Sequence, residues 1–127
     1  MLLRLLSISA LLLISAGCSL PTPAEDPSLV SHLRFSPSAF DSFKRNTEVR
    51  YALKYPAVVS LVIVRRDRGA EETVKRLFTN LEESKGSQAH AWLGDTEQGM
   101  FATTGVYYGI LFAGGRRAEA EVRIYHE

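Results

Sequence analysis

Apolar and polar residues alternate along two segments of the chain, residues 47–55 and residues 117–125. Successive side chains of a β-strand point to opposite sides, so a repeat of two residues indicates a strand with one buried face. Both segments are therefore predicted strands. The residues expected on their buried faces are Val49, Tyr51, Leu53 and Tyr55 in the first strand and Ala118, Ala120, Val122 and Ile124 in the second.

Two further segments, residues 57–64 and residues 106–112, are apolar on both faces. A strand at the centre of a sheet has this composition because both of its faces are covered. Residues 87–93 alternate again, with His90 and Trp92 on one face. Glycines separate these segments, and Gly114–Gly115 predicts a hairpin into the last strand. Together the segments predict an all-β domain.

Residues 69–84 allow two interpretations. Val74, Leu77, Phe78 and Leu81 recur at helical spacing, with acidic residues before them and Lys85–Gly86 after them. This periodicity alone predicts a short amphipathic helix. The strands predicted on both sides favour an extended segment instead. We predict a strand here, with the helix as the alternative.

The first 17 residues have the layout of a secretory signal: Arg4, an apolar run over residues 5–14, and then small residues. The run is too short for a membrane-spanning helix, which needs about 20 residues. Cys18, the single cysteine, follows in ISAGCS, which resembles the lipobox of bacterial lipoproteins. The resemblance implies cleavage after residue 17 and lipidation of Cys18. Ser19, which is not aspartate, then favours the outer membrane over the inner membrane.

Residues 18–31 contain Pro21, Pro23 and Pro27, and proline favours extended backbone and breaks helices. We predict that this segment is a tether between the lipid anchor and the folded domain, which is expected to cover residues 32–127. The formal net charge of the chain is only +1. Such a balance leaves no basic surface for nucleic acid. The expected location is therefore the cell envelope, attached to the membrane through Cys18.

Short segments follow one another in the order seen in one family. They are SPSAF at 36–40, TEVRYAL at 47–53, VVSLVIVRRDRG at 58–69, VKRL at 74–77, HAWLGDTEQG at 90–99 and GMFATTGVYYGILFAGG at 99–115. This set, from Phe35 to Tyr125, resembles the FlgD-type immunoglobulin-like domain of the flagellar hook-capping protein and of many secreted bacterial proteins. The resemblance implies an immunoglobulin-like β-sandwich of about seven antiparallel strands. It also implies docking on other proteins, without catalysis.

Several candidate chemistries follow from single motifs. GDTEQG, residues 94–99, lacks the lysine of a phosphate-binding loop. Its acids, Asp95 and Glu97, lack the spacing of an EF-hand calcium loop. Leu93 also stands where the family has aspartate. His32, His90 and His126 share no zinc-ligand spacing, and His90 is expected at the surface. No metal site and no cofactor are therefore predicted.

The aromatic residues Trp92, Tyr107 and Tyr108, with Phe101, are predicted near the glycine-rich turn. They form either a binding platform or part of the core. Unpaired strand edges are a second candidate surface, because an open edge accepts a partner's strand.

The expected function is non-catalytic protein–protein contact by an accessory subunit or scaffold of the envelope. The alternatives are a carbohydrate-binding module that uses these aromatic residues and a small hydrolase, although no G-x-S-x-G motif is present.

Overall fold

A computed structural model describes residues 26–127 as eight β-strands. The predicted signal peptide, Cys18 and tether residues 18–25 lie outside the described residues. No helix in the described part is long and apolar enough to cross a membrane. The strands are β1 (Val30–Ser36), β2 (Ala39–Asp41), β3 (Thr47–Leu53), β4 (Ala57–Asp67), β5 (Ala70–Glu83), β6 (Gly86–Trp92), β7 (Gly105–Ala113) and β8 (Arg116–Tyr125).

The strands form two sheets, and the all-β prediction is confirmed. One sheet has the order β1-β3-β6 and the other β2-β8-β7-β4-β5. All neighbouring strands are antiparallel except β2 and β8, which are parallel. Central β4 lies between β7 and β5, as its apolar residues on both faces predict. The count exceeds the expected seven because the three-residue β2 is a separate strand.

The segment with helical spacing is strand β5, so the helix alternative is wrong for residues 70–83. Its register with β4 is interrupted three times, between Val59 and Val64 of β4, and β5 has one extra residue at each interruption. Each extra residue shifts the alternation of side chains by one position. Val74, Leu77 and Phe78 therefore all pack against the core although they are three and four residues apart, as in a helix, whereas Leu81 is exposed.

One hydrophobic core lies between the two sheets. The alternation predicted for β3 and β8 is confirmed, because Val49, Tyr51, Leu53, Val122 and Ile124 are all buried. The sheets approach closely at Gly109 of β7. A Cβ atom there would lie 2.6 Å from the ring of Phe35 on β1, so the hydrogen side chain allows this contact. The remaining buried apolar residues include Leu29, Phe40, Val59, Leu61, Ile63, Trp92, Tyr107 and Leu111.

The folded domain begins before the expected boundary between residues 31 and 32. Leu29 is 1% exposed and belongs to the core, and its carbonyl accepts a hydrogen bond from the Lys54 amide at 2.9 Å. Asp26 accepts hydrogen bonds from Ser28 and from the Lys54 ammonium, which lower the pKa of its carboxyl to about 2. Residues 26–31 are therefore part of the domain and not of a free tether. Composition missed this because prolines dominate the segment while one leucine decides its burial.

We expect Leu29→Ala to lower the free energy of unfolding by about 2–4 kcal/mol, because it removes buried methyl groups and leaves a cavity. Urea denaturation of the purified protein measures the change. Ser31→Ala is the matched control, since Ser31 is exposed two residues away and its loss costs less than about 0.5 kcal/mol. Equal stability of Leu29→Ala and the unchanged protein would place the boundary back at residue 32.

Candidate interaction surface at one end of the domain

Asp41, at the end of β2, organises the turn that follows it. Its side-chain oxygens accept hydrogen bonds from the backbone N–H of Phe43 at 3.0 Å and of Glu127 at 3.2 Å. Burial raises the pKa of this carboxyl, but the two N–H groups, with Lys44 and His126 nearby, outweigh burial and leave the pKa below its ordinary value. The ionised carboxylate thus holds the turn and the end of the chain together.

Three rings meet next to this turn, and we call Phe43, Phe101 and His126 the end cluster. The Phe43 ring stacks on His126 at 3.9 Å and meets Phe101 edge to face at 4.7 Å between ring centroids. His126 Nε2 also lies 2.9 Å from the Ser42 hydroxyl. The rings come from the β2–β3 turn, the β6–β7 loop and the residue after β8. Sheet packing therefore joins residues that are distant along the chain.

The end cluster is exposed to solvent. Phe43 is 56% exposed and Phe101 is 57% exposed, and His126 is half-buried between them and the domain. Met100, which precedes Phe101, and Leu93, which begins the same β6–β7 loop, are also exposed. Single exposed apolar residues are common on protein surfaces, but a contiguous group is typical of an interaction site. This end of the domain is therefore the candidate functional site.

The β6–β7 loop, residues 93–104, is held in place by contacts with β5. The Glu97 amide donates to the Val74 carbonyl at 2.9 Å, and Lys75 pairs with the Asp95 carboxylate at 2.9 Å. Arg76 pairs with Glu97 at 3.0 Å. The two acids considered for calcium binding are thus engaged by cationic side chains. Within residues 26–127, no group of three or more His, Cys, Asp or Glu side chains is arranged to hold a metal ion.

Gly94 brings this loop close to the β2–β3 turn. Its φ is +76°, a left-handed conformation that strains other residues. A Cβ atom at Gly94 would lie 2.5 Å from the Cβ of Ser42. Glycine therefore allows the two loops of the end cluster to pack against each other.

The structure separates the three aromatic residues predicted as a binding platform. Trp92 and Tyr107 are buried in the core, where their rings meet edge to face at 5.8 Å. Tyr108 lies on the opposite face of β7, with the Arg66 guanidinium 4.3 Å from its ring centroid. Consecutive residues of a strand point to opposite faces, so Tyr107 and Tyr108 cannot share a platform. The core interpretation holds for Trp92 and Tyr107, and only Phe101 of the predicted group is widely exposed.

His90 is also placed differently from the expectation of a surface residue. Its Nε2 lies 2.6 Å from Oε2 of Glu83, a side chain that is only 6% exposed. The Tyr51 hydroxyl donates to the other oxygen of Glu83. Burial and this carboxylate both raise the pKa of the Tyr51 hydroxyl. Glu83 on β5 thus joins the edge of one sheet to β3 and β6 of the other.

Arg66 of β4 and Arg117 of β8 meet on the outer face of the five-stranded sheet. Arg66 contacts Glu71 at 2.9 Å and Glu119 at 2.7 Å, and Arg117 contacts the same two carboxylates. Hydrogen bonds from Arg66 and Arg117 hold the pKa of the Glu119 carboxyl below its ordinary value. Ion pairs within the domain thus neutralise Arg66 and Arg117.

The sequence contained one signal for the end cluster that the alternation of residues did not reveal. Phe43 stands within the polar turn DSFKRN, where the aromatic side chain has no strand to bury it. His126 follows the last strand and carries no comparable signal. Its contact with Phe43 depends on the parallel pairing of β2 with β8, which brings the ends of these strands together.

Comparison with known proteins places no further constraint on this all-β, two-sheet domain. No family model and no curated protein matches the chain. Among solved structures it is similar to the Pseudomonas fluorescens alkylpurine DNA glycosylase AlkC bound to DNA containing an abasic site analog, at 15% identity and a TM-score of 0.48. The match covers 76% of this chain and 30% of that chain. A likeness at this level supports no inference about fold family or function.

Proposed function

We propose that this protein is a non-catalytic, lipid-anchored component of the bacterial cell envelope that binds another protein as an accessory subunit or scaffold. In this proposal the two sheets form an immunoglobulin-like sandwich of the FlgD type, and the anchor is Cys18 in the outer membrane. The observation that carries the proposal is the end cluster, in which exposed Phe43 and Phe101 pack on each other and on half-buried His126.

The chemistry of the end cluster suits a protein partner. Aromatic side chains and methionine are enriched at the centre of protein interfaces, where they bury a large area with little loss of conformational freedom. The cluster is also preorganised, because the Asp41 carboxylate holds the Phe43 turn and the chain end in place. Preorganisation lowers the entropy lost on binding.

The position of the cluster agrees with attachment through the N-terminus. Val30, where β1 begins, pairs with Leu53 at one end of β3. Thr47 lies at the other end of β3, where it pairs with Trp92. This is the end that carries the cluster, because the β2–β3 turn with Phe43 leads directly into Thr47. Seven residues of strand separate these ends by about 20 Å. A chain anchored before residue 26 therefore presents the end cluster on the side away from its anchored end.

The test is site-specific photo-crosslinking in cells that express the full-length chain. A crosslinking residue at position 101 is expected to capture one dominant envelope protein, and the same residue at position 112 is expected to capture none. Phe112 is the matched control because it is an exposed phenylalanine on the outer face of the five-stranded sheet. Phe101→Ser is then expected to weaken the captured complex by about 2 kcal/mol, roughly thirtyfold in affinity.

Two further variants separate the parts of this proposal. Cys18→Ala is expected to abolish sedimentation with membranes, and a variant that still sediments with them would contradict the lipid anchor. Equal capture at positions 101 and 112 would contradict the end cluster as the binding site. Capture of glycan-bearing material at position 101, with no protein, would favour the carbohydrate-binding alternative.

A further inference from the structure

We propose that the outer edge of β6 pairs in antiparallel fashion with β6 of a second copy of this chain, so that the three-stranded sheets of two copies become one six-stranded sheet. The surface differs from the end cluster, and the proposal does not rest on the partner protein proposed above. It follows from a comparison of how accessible the four edge strands β1, β2, β5 and β6 are to a further strand, and from the side chains along β6.

The outer edge of β6 is open within the described residues. All seven residues, Gly86–Trp92, pair with β3 in an uninterrupted register. No backbone group of β6 forms a hydrogen bond with any other part of residues 26–127. An unpaired edge presents a row of N–H and C=O groups that readily accept another strand.

The other three edges carry features that prevent strand addition. Edge strand β1 is interrupted between Ser31 and Arg34, where His32 has a left-handed φ of +58°. Edge strand β2 is only three residues long and covers Arg123–Tyr125 of β8, and the rest of that edge carries charged side chains. Bulges and short edge strands are common protections against unwanted pairing.

Edge strand β5 is protected in two ways. It has an extra residue at three places in its register with β4, and Asn80 has a left-handed φ of +51°. The Val74 carbonyl of this strand also accepts a hydrogen bond from the Glu97 amide and is therefore not free for a further strand. Among the strand edges in residues 26–127, β6 is the regular one without bulges or charged side chains, so association through it ends at a two-fold symmetric pair and does not continue into fibres.

The sequence of β6 is compatible with pairing to itself. A two-fold axis at Ala89 uses all seven residues and places Ala89 opposite Ala89, Ser87 opposite Ala91 and Gln88 opposite His90. The outward-facing residues are small, and none carries a formal charge. Like charges directly opposite destabilise antiparallel pairs, and this register contains none. A second copy therefore fits the edge without a charged or bulky obstacle.

The surroundings of β6 are compatible with this pairing as well. The residues that line the groove beside it include Arg34, Arg50, Ala52, Ser87 and Ala89. Arg50 pairs with Ala89 across the β3–β6 ladder and bonds to Glu48. In the symmetric pair, the two Arg50 residues lie three strand spacings apart, about 14 Å, which is more than a Debye length at physiological salt.

The paired edge is about 20 Å long, so the expected interface is small. Interfaces of this size form weak or transient complexes. Association is therefore expected to depend on concentration and to be strongest where copies share a surface.

The first test is cysteine crosslinking of the full-length chain under mild oxidation. Ala89→Cys is expected to give a covalent dimer, because residue 89 faces itself across the axis. Ser87→Cys alone is expected to give none above the unchanged chain, whereas Ser87→Cys mixed with Ala91→Cys is expected to crosslink. Dimer yield at residue 87 equal to that at residue 89 would overturn the proposed register. No dimer at any concentration, or a conjugate of residue 89 with a different protein, would overturn the second copy as occupant.

The second test uses opposite charges on two differently tagged copies. Ala89→Glu in both copies is expected to reduce co-purification about three- to fivefold, and pairing an Ala89→Glu copy with an Ala89→Lys copy is expected to restore it. Ser87→Glu is the matched control, because it faces Ala91 of the second copy and introduces no like-charge pair. Unchanged thermal melting of each variant shows that the fold is intact. Equal co-purification of all combinations would contradict pairing at Ala89.

Discussion

Val122→Asp is expected to unfold the domain. Val122 is fully buried on β8 and pairs with Tyr107, which is also buried, at the centre of the core. An ionised carboxylate there has no water and no partner, and such burial costs on the order of 5 kcal/mol or more. Small domains have a total stability of about 5–15 kcal/mol. Circular dichroism of the purified protein is expected to show loss of the cooperative thermal transition.

The neighbouring residue supplies the control for this prediction. Arg123→Asp places the same side chain one position along β8, on the exposed face. Its expected effect on stability is within about 1 kcal/mol, because it removes only the exposed ion pair between Arg123 and Glu121, which are 3.9 Å apart. A cooperative transition at the original temperature in Val122→Asp would mean that β8 presents its other face to the core.

Trp92→Ala is expected to destabilise the domain by about 3–5 kcal/mol. The indole is fully buried and meets Phe40 and Tyr107 edge to face, each at 5.8 Å between ring centroids. Its Nε1 donates a hydrogen bond to the Asp95 carbonyl at 3.1 Å. Truncation leaves a large cavity and an unpaired carbonyl at the base of the β6–β7 loop. Urea denaturation followed by circular dichroism measures the loss.

Trp92→Phe is the matched variant, because it retains an aromatic ring and fills most of the site. We expect a smaller loss of stability than for Trp92→Ala. If Trp92→Ala kept full stability and lost only the binding of a partner, the residue would belong to an exposed platform and its burial would be wrong. Loss of stability in both variants, graded by the volume removed, supports the core role.

Much of the fold could be predicted from local sequence, for a physical reason. The side-chain period of a strand is two, so a segment such as residues 47–53 reveals its extended backbone and its apolar face without any partner. The same argument gave β8 and the central position of β4. The period of two did not identify residues 70–83 as a strand, because the bulges in β5 change the apparent period. These bulges depend on the pairing of β5 with β4.

The candidate site was predictable only in fragments. The local pattern grouped Trp92 with Phe101 because both lie near the glycine-rich turn, but burial divides them. Trp92 lies on the inner face of β6, whereas Phe101 lies in a loop outside both sheets. The short parallel pairing of β2 with β8 brings His126 to Phe43, and no periodic pattern in the sequence predicts this pairing.

The amino-acid sequence by itself determined the all-β class, the half-buried strands and the turns at glycine, because each depends on neighbouring residues along the chain. It also carries the N-terminal pattern on which the proposed lipid anchor rests. Tertiary structure alone decided that Leu29 joins the core, that Trp92 and Tyr107 are interior, and that no other strand of residues 26–127 pairs with the outer edge of β6. These features depend on which strands pair and which faces pack together. Both are set by contacts between residues that are distant in sequence.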